Sequence, residues 1–192
     1  MARTVKAVPE SSRDRPATMS KTPNQLSSIR ADYLFMVGTH HMPFDRLIQM
    51  ADRFAREDPD ASVLVQYGTS QPPKAANGRE NLSHQEMDAL AGNLKGIVLP
   101  GGPSLMMEWL RRGFLPVIVP RDPELGEHID THQIRFSNFM CQRSLIALAH
   151  DYEQVKAALA EPQPVSVAQL EKIDSASAVR AFTKLASSLL AD

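Results

Sequence analysis

Short apolar runs alternating with helix-patterned segments predict an α/β fold, a doubly wound, Rossmann-like parallel sheet with helices on both faces. Three observations carry this. The runs Tyr33–Val37, Ser62–Gln66, Ile97–Leu99, Val117–Val119 and Leu145–Leu148 are three to five residues long and rich in aliphatic side chains, as strands covered on both faces must be. The segments between them repeat apolar residues at helical spacing. Two runs end on glycine, at Gly38 and at Gly101-Gly102, where a strand would turn into a helix.

Taken in order, residues 1–30 are rich in Ser, Pro, Thr and Arg without apolar periodicity, so a disordered leader is expected. Met19 is an alternative start, and Glu10 and Asp14 argue against a transit peptide. After the first run, Pro43 opens a helix through Phe44, Leu47, Ile48, Ala51 and Phe54. The second run ends at Gln66-Tyr67-Gly68, and Thr69–Asn81 reads as a long polar loop, mobile or in contact with a partner. Ser83 with Glu86 forms a capping box for a short helix to about Asn93.

The central unit is strand, glycine turn, helix, strand: Ile97–Leu99, Pro100 to Pro103, a helix capped by Ser104 and stopped by Gly113, then Val117–Val119. A Pro- and Gly-punctuated loop, Asp122–Asp130, leads to a helix through Arg135, Phe136, Phe139 and Met140. Asp151 caps a helix to Leu159, which Pro162 and Pro164 end. Residues 31–160 are therefore one domain. Residues 161–192 form a helical extension whose stripe, Leu170, Ile173, Val179, Phe182, Leu185 and Leu189, is expected to pack on that domain.

The chain has 192 residues, 43% of them hydrophobic and 22% charged, enough for one real core. A formal net charge of −1 supplies no field for nucleic acid or an acidic membrane surface. The single cysteine, Cys141, excludes an internal disulfide and fits a reducing, cytoplasmic setting; it reads as a small apolar helix residue. No apolar run is long enough for a membrane helix.

Ligands of open parallel sheets sit beyond the carboxyl ends of the strands, where glycines admit the backbone and helix N-termini offer free N–H groups. Gly101, Gly102 and Ser104 stand at such a place, and Glu108 lies one turn further along the helix, positioned to accept bonds from a ribose diol. A plain tight connection is the alternative at Gly101-Gly102, as it is at Gly38-Thr39. His128 and His132 have the i, i+4 spacing that ligates zinc on a helix, but Glu127 precedes rather than follows the first histidine and the spacing shows no third ligand. Surface histidines are the simpler reading there, and a metal-dependent hydrolase is the least favoured function.

Four ordered motifs, VGTHHMPFDRLI at Val37–Ile48, VQYG at Val65–Gly68, GGPSLMMEW at Gly101–Trp109 and PRDPELGEHIDTHQIRF at Pro120–Phe136, give the chain a resemblance to the donor-binding half of the family-28 glycosyltransferases. It is similar above all to the small subunits of split enzymes: the catalytic half of the dolichol-linked N-acetylglucosamine transferase and the small subunits of bacterial exopolysaccharide transferases. The resemblance spans roughly Tyr33 to Leu159. It implies one donor-binding half of a GT-B enzyme, inverting and UDP-sugar-dependent, acting on a lipid-linked acceptor held by a membrane-anchored partner subunit. The chain would then be cytoplasmic and peripheral to the membrane through that partner.

In this scheme Gly38 and Thr39 lie near the donor diphosphate, Gln66 ends its strand at the site, and Gly101, Gly102 and Ser104 hold the phosphates. Glu108 holds the ribose, and Asp130 with Gln133 the sugar. The resemblance implies neither cofactor nor metal, and it leaves the catalytic residue unassigned on this chain, with the base expected on the partner. Where many relatives have histidine before the two glycines, this chain has Pro100, and Ser104-Leu105 replace a glycine-serine pair. A proline carries no N–H and no polar side chain. That departure keeps a second class open, a nucleotide-sugar-binding or regulatory subunit without turnover.

Overall fold

The computed structural model of the chain describes residues 29–161. The expected leader, with Met19, and the expected C-terminal extension lie outside the described residues, except for Ile29, Arg30 and Glu161. Among the described residues six strands form one all-parallel sheet: β1 (Tyr33–Met36), β2 (Val63–Gln66), β3 (Asn77–Arg79), β4 (Gly96–Leu99), β5 (Val117–Ile118) and β6 (Ala147–Leu148). The spatial order is β3-β2-β1-β4-β5-β6. The chain runs outward from β1 to one edge, then crosses back and builds toward the other, so the α/β, Rossmann-like arrangement expected from the sequence is present. That reversal opens a crevice beyond the carboxyl ends of β1 and β4.

Successive strand residues alternate between two apolar layers. Leu34, Met36, Leu64, Ile97, Leu99 and Ile118 face α2 (His84–Ala91), α3 (Pro103–Arg111) and α4 (His132–Cys141), whose Met87, Leu90, Met106, Trp109, Leu110, Phe136 and Met140 cover them. Phe35, Val37, Val65, Val98 and Val117 face α1 (Asp45–Glu57) and α5 (Tyr152–Ala160) through Leu47, Ile48, Ala51, Phe54, Val155 and Leu159. Both faces of the central strands are thus dry, which is why their sequences are continuously apolar.

Several local expectations are corrected. The polar segment Thr69–Asn81 is not a free loop, because Asn77–Arg79 pair in parallel with Leu64–Gln66 as an exposed edge strand. Its approach is pinned by Asp52, whose carboxylate accepts from the backbone N–H groups of Lys74, Ala75 and Ala76 at 2.8–3.1 Å. Burial pushes that carboxyl upward, but the three N–H groups outweigh it and hold it below the usual range. Ser104 does not cap α3. Pro103 takes the first helical position, as its fixed φ favours, so Gly102 becomes the cap residue and Ser104 lies exposed in the first turn.

Pro43 likewise stands just outside α1, with Phe44 at the cap donating its N–H to Ser70 Oγ at 2.7 Å. The capping box of α2 and the Asp151 cap of α5 form as read. The last strand is shorter than expected, because Leu145 and Ile146 turn into the α4-side core before it begins. Among the described residues, no helix is long and apolar enough to cross a membrane.

On the other face, α5 is tied to α1 by charge. Glu57 accepts from Lys156 Nζ at 2.6 Å and from Tyr152 Oη at 2.9 Å through Oε2, and from Arg53 Nε at 2.8 Å through Oε1. The bond from Lys156, then those from Tyr152 and Arg53, lower the Glu57 carboxyl from 4.5 to about 2. The unfolded chain therefore takes up this proton first as pH falls, so the stabilisation is complete above about 4.5 and is lost toward about 2. Urea midpoints measured across that window should fall more steeply for the parent than for Glu57→Gln. Parallel slopes would mean that the cluster contributes nothing to stability.

Candidate functional site

The carboxyl ends of β1, β4 and β5 and the start of α4 converge. After β1 the chain turns at Gly38, whose φ of +79° is a left-handed conformation that glycine adopts freely. Gln66, buried at the end of β2, clamps this turn: its Oε1 accepts from Gly38 N–H at 3.0 Å, and its Nε2 donates to Gly38 O at 3.2 Å and Glu80 O at 2.9 Å. The amide is spent on backbone, so Gln66 shapes the site from beneath. Thr39 is exposed beside it.

Across the crevice, Pro100 is buried, and a Cβ built on Gly38 would lie 3.7 Å from its Cγ. The proline at which this sequence departs from the resembled motif thus packs under the opposing turn. The two glycines after it have different reasons to be glycine. A Cβ on Gly101 would meet Ser137 Oγ at 2.7 Å and Gln133 Cβ at 2.9 Å, so Gly101 lets α4 close onto the sheet. Gly102 has an ordinary backbone, φ −73° and ψ 126°, and a Cβ there would meet nothing within 4 Å. No side chain caps the helix that starts at this residue. Its first-turn N–H groups open onto the crevice without a side-chain acceptor.

Glu108 lies lower on α3, toward α2. Its Oε1 meets His84 Nδ1 at 2.7 Å and Arg112 at 3.1 Å, on a side chain about a quarter exposed. Gln133, in the first turn of α4, is buried against Gly101 and accepts a long 3.3 Å bond from Arg121 N–H. Asp130 just precedes that helix and accepts from the His132 backbone N–H at 2.9 Å and from His132 Nδ1. These bonds hold its carboxyl below the ordinary range, against the cost of burial. The crevice therefore gathers Gly38, Thr39 and Gly102. Gln66, Gly101 and the buried Gln133 lie behind it as supports, and Glu108 lies to one side.

The structure also assembles residues that the sequence reading passed over. His40 and His41 follow the β1 turn, and their rings stack at 4.5 Å. His40 stacks in turn on His128 at 4.7 Å, and His128 meets His132 edge-on at 4.6 Å. His128 sits in the loop and only His132 is helical, so the pair does not share a helix face. Burial first, then the Arg121 charge and neighbouring rings, keeps His40 more readily neutral than a free imidazole. Burial and His132 do the same for His128. A pair of histidines, His40 and His41, one residue beyond the glycine turn that follows β1 was the available signal.

Beneath them lies Arg121, 1% exposed. Its Nη1 donates to the carbonyls of Met42 (2.8 Å), Pro43 (3.1 Å) and Glu127 (3.1 Å), and its Nη2 to Val37 O at 3.0 Å. Glu127 is held in turn by Arg46, at 2.8 and 2.9 Å, and by Asp122 N–H. Burial lowers the Arg121 pKa to about 10, the Glu127 charge partly opposing, so the guanidinium stays charged at neutral pH.

Neither a scan of protein-family models nor a search of curated proteins finds a match to this chain.

Arg121→Met should leave four backbone carbonyls without this donor. At roughly 1–3 kcal/mol per orphaned buried group, the loss should reach at least about 3 kcal/mol, visible in urea unfolding. Arg121→Lys, with charge but fewer donors, should fall between. A methionine variant with the parent's midpoint would show that packing alone holds the loops.

Proposed function

We propose that the chain is the donor-binding subunit of an inverting, UDP-sugar-dependent glycosyltransferase. It would work with a membrane-associated partner that presents a lipid-linked saccharide acceptor, the chain itself staying cytoplasmic. The observation that carries this reading is Gly102. A glycine with an ordinary backbone and open space where its Cβ would stand has no conformational reason to be glycine, and it heads an uncapped helix facing the crevice. Room for close approach, together with free N–H groups, is what a diphosphate needs.

In this reading each residue has one role. The first-turn N–H groups of α3, at Ser104 and Leu105, hold the diphosphate and the charge that grows on it as the sugar leaves. That support is backbone, so donor binding needs no dication. Both bonds on Glu108 fall on Oε1, leaving Oε2 for a ribose hydroxyl. Asp130, whose Oδ1 is taken by His132, offers Oδ2 to the sugar beside the Gln133 amide. The partner brings the acceptor hydroxyl and its base to the opposite face of the sugar, giving a single displacement with inversion. Leu125 and Ile129, the exposed large hydrophobic residues among those described, stand 61% and 77% exposed on the loop before α4 and give such a partner a place to dock.

Pro100 favours a second reading. Buried against the Gly38 turn, it puts an apolar ring where the resembled motif has histidine, which suits a subunit that binds nucleotide sugar without turning it over. Transfer by the assembled pair, compared between the parent and Pro100→His, separates the two. Activity in the parent supports the enzyme, and inactivity with either residue supports the binding subunit.

Calorimetric titration of the full chain with UDP in EDTA tests donor binding itself. Glu108→Ala removes a charged acceptor worth roughly 1.5–3 kcal/mol, so affinity should fall at least about tenfold, while the exposed His84 contact costs the fold little. Gly102→Ala should keep the parent's thermal midpoint and weaken UDP binding. Absence of UDP binding by the parent, or parent-like binding by both variants, would overturn the reading.

A further inference from the structure

We infer that the loop before α4 carries a transition-metal site, formed by His128, Asp130 and His132 and selective for zinc or a first-row neighbour. The three residues stand at every second position of one short segment, and one ligating atom from each lies within 4.8 Å of the others. Asp130 Oδ1 is 3.5 Å from His128 Nδ1. Zinc bonds of about 2.0–2.2 Å give tetrahedral edges of about 3.4 Å, so this pair is already spaced for a shared ion. Asp130 Oδ1 is also hydrogen-bonded to His132 Nδ1, so the ion replaces a proton between them.

The donor atoms are poised for this. The Asp130 backbone N–H points at His128 Nδ1 at 3.3 Å, which fixes the tautomer with a lone pair on that nitrogen. Metal entry exchanges this long bond for a short one. His128 is buried while the Asp130 side chain is 45% exposed, so the site has a fixed wall and an open side through which an ion enters. His40, stacked on His128, holds that ring from behind. Four of the six histidines in the chain are gathered here. The Asp130 charge favours a dication, and Arg121 beneath the rings opposes it. The excess of positive charge on binding therefore directs water or an anionic oxygen to the fourth position.

Two imidazoles with one carboxylate suit zinc, cobalt and nickel, whereas magnesium and calcium prefer oxygen alone. The site shares Asp130 with the donor reading, but the two are tested apart: zinc is titrated without nucleotide, and UDP is titrated in chelator, so either can fail alone.

The test uses the full, untagged chain stripped with chelator, titrated with zinc chloride by calorimetry and with cobalt(II) by visible absorption. One equivalent of zinc should bind, unaffected by excess magnesium, and cobalt should give the intense bands of a four- or five-coordinate ion. His132→Ala and Asp130→Asn should each weaken zinc at least tenfold, while His150→Ala, outside the cluster, leaves it unchanged. The cobalt spectrum of the parent needs no variant and stands if a substitution impairs folding. No zinc binding by the parent, displacement by magnesium, a six-coordinate aquo-like cobalt spectrum, or parent-like affinity in folded His132→Ala and Asp130→Asn would overturn the site.

Discussion

The buried Arg121 guanidinium is the constraint on which the working edge of the sheet depends. It leaves the end of β5 and reaches carbonyls at the end of β1, in the loop that follows β1, and at Glu127. An apolar side chain would fill the same space but leave those carbonyls unpaired in a dry interior, where each is costly. Because the guanidinium satisfies them together, the loop carrying His40 and the loop carrying His128 are held face to face. The Arg46–Glu127 pair, at 2.8 Å, closes the arrangement from outside and spreads the charge. Crevice and histidine cluster rest on this one buried ion.

The fold was legible wherever burial on both faces forces a run of apolar residues, as at Leu34–Val37 and Ile97–Leu99. It was illegible at β3, where Asn77, Gly78 and Arg79 are all exposed and carry no pattern. That strand exists because β2 lends it a ladder and Asp52, on a helix far back in the chain, anchors its approach. The α3 cap was misread for a different reason. Ser104 is a good capping residue by type, but Pro103 suits the first helical position still better and moves the boundary back to Gly102.

The site was legible in part. Strand-end glycines announce a crevice, and Gly38 and Gly102 line it. Pattern alone did not separate Gly102, which faces open space, from Gly101, which is filled by α4, since the difference lies in what a Cβ would touch. Gln66 looked like a ligand group and is a clamp, because both ends of its amide are consumed by backbone. The histidine cluster draws on two distant loops, and periodicity within either one does not reveal their meeting. The resemblance offers Asp130 as a candidate sugar contact, and only the folded loop sets it between His128 and His132.

The sheet has two ends, and they differ in what they offer a ligand. At the amino ends of β4 and β5 a cavity of about 570 Å³ is lined by Gly96, Ile97, Leu115, Val117, Ala158 and Leu159 among others, with Lys95 and Glu161 as its charges. It offers no helix N-terminus and opens beside Glu161. The carboxyl end holds the uncapped α3 and the converging glycine turns. Amide chemical-shift mapping of the full chain with UDP distinguishes the ends directly. Shifts concentrated at Gly38, Gly102, Ser104, Leu105 and Gln133 are the predicted result; shifts confined to Gly96, Gly113, Ala147 and Leu159 would contradict it.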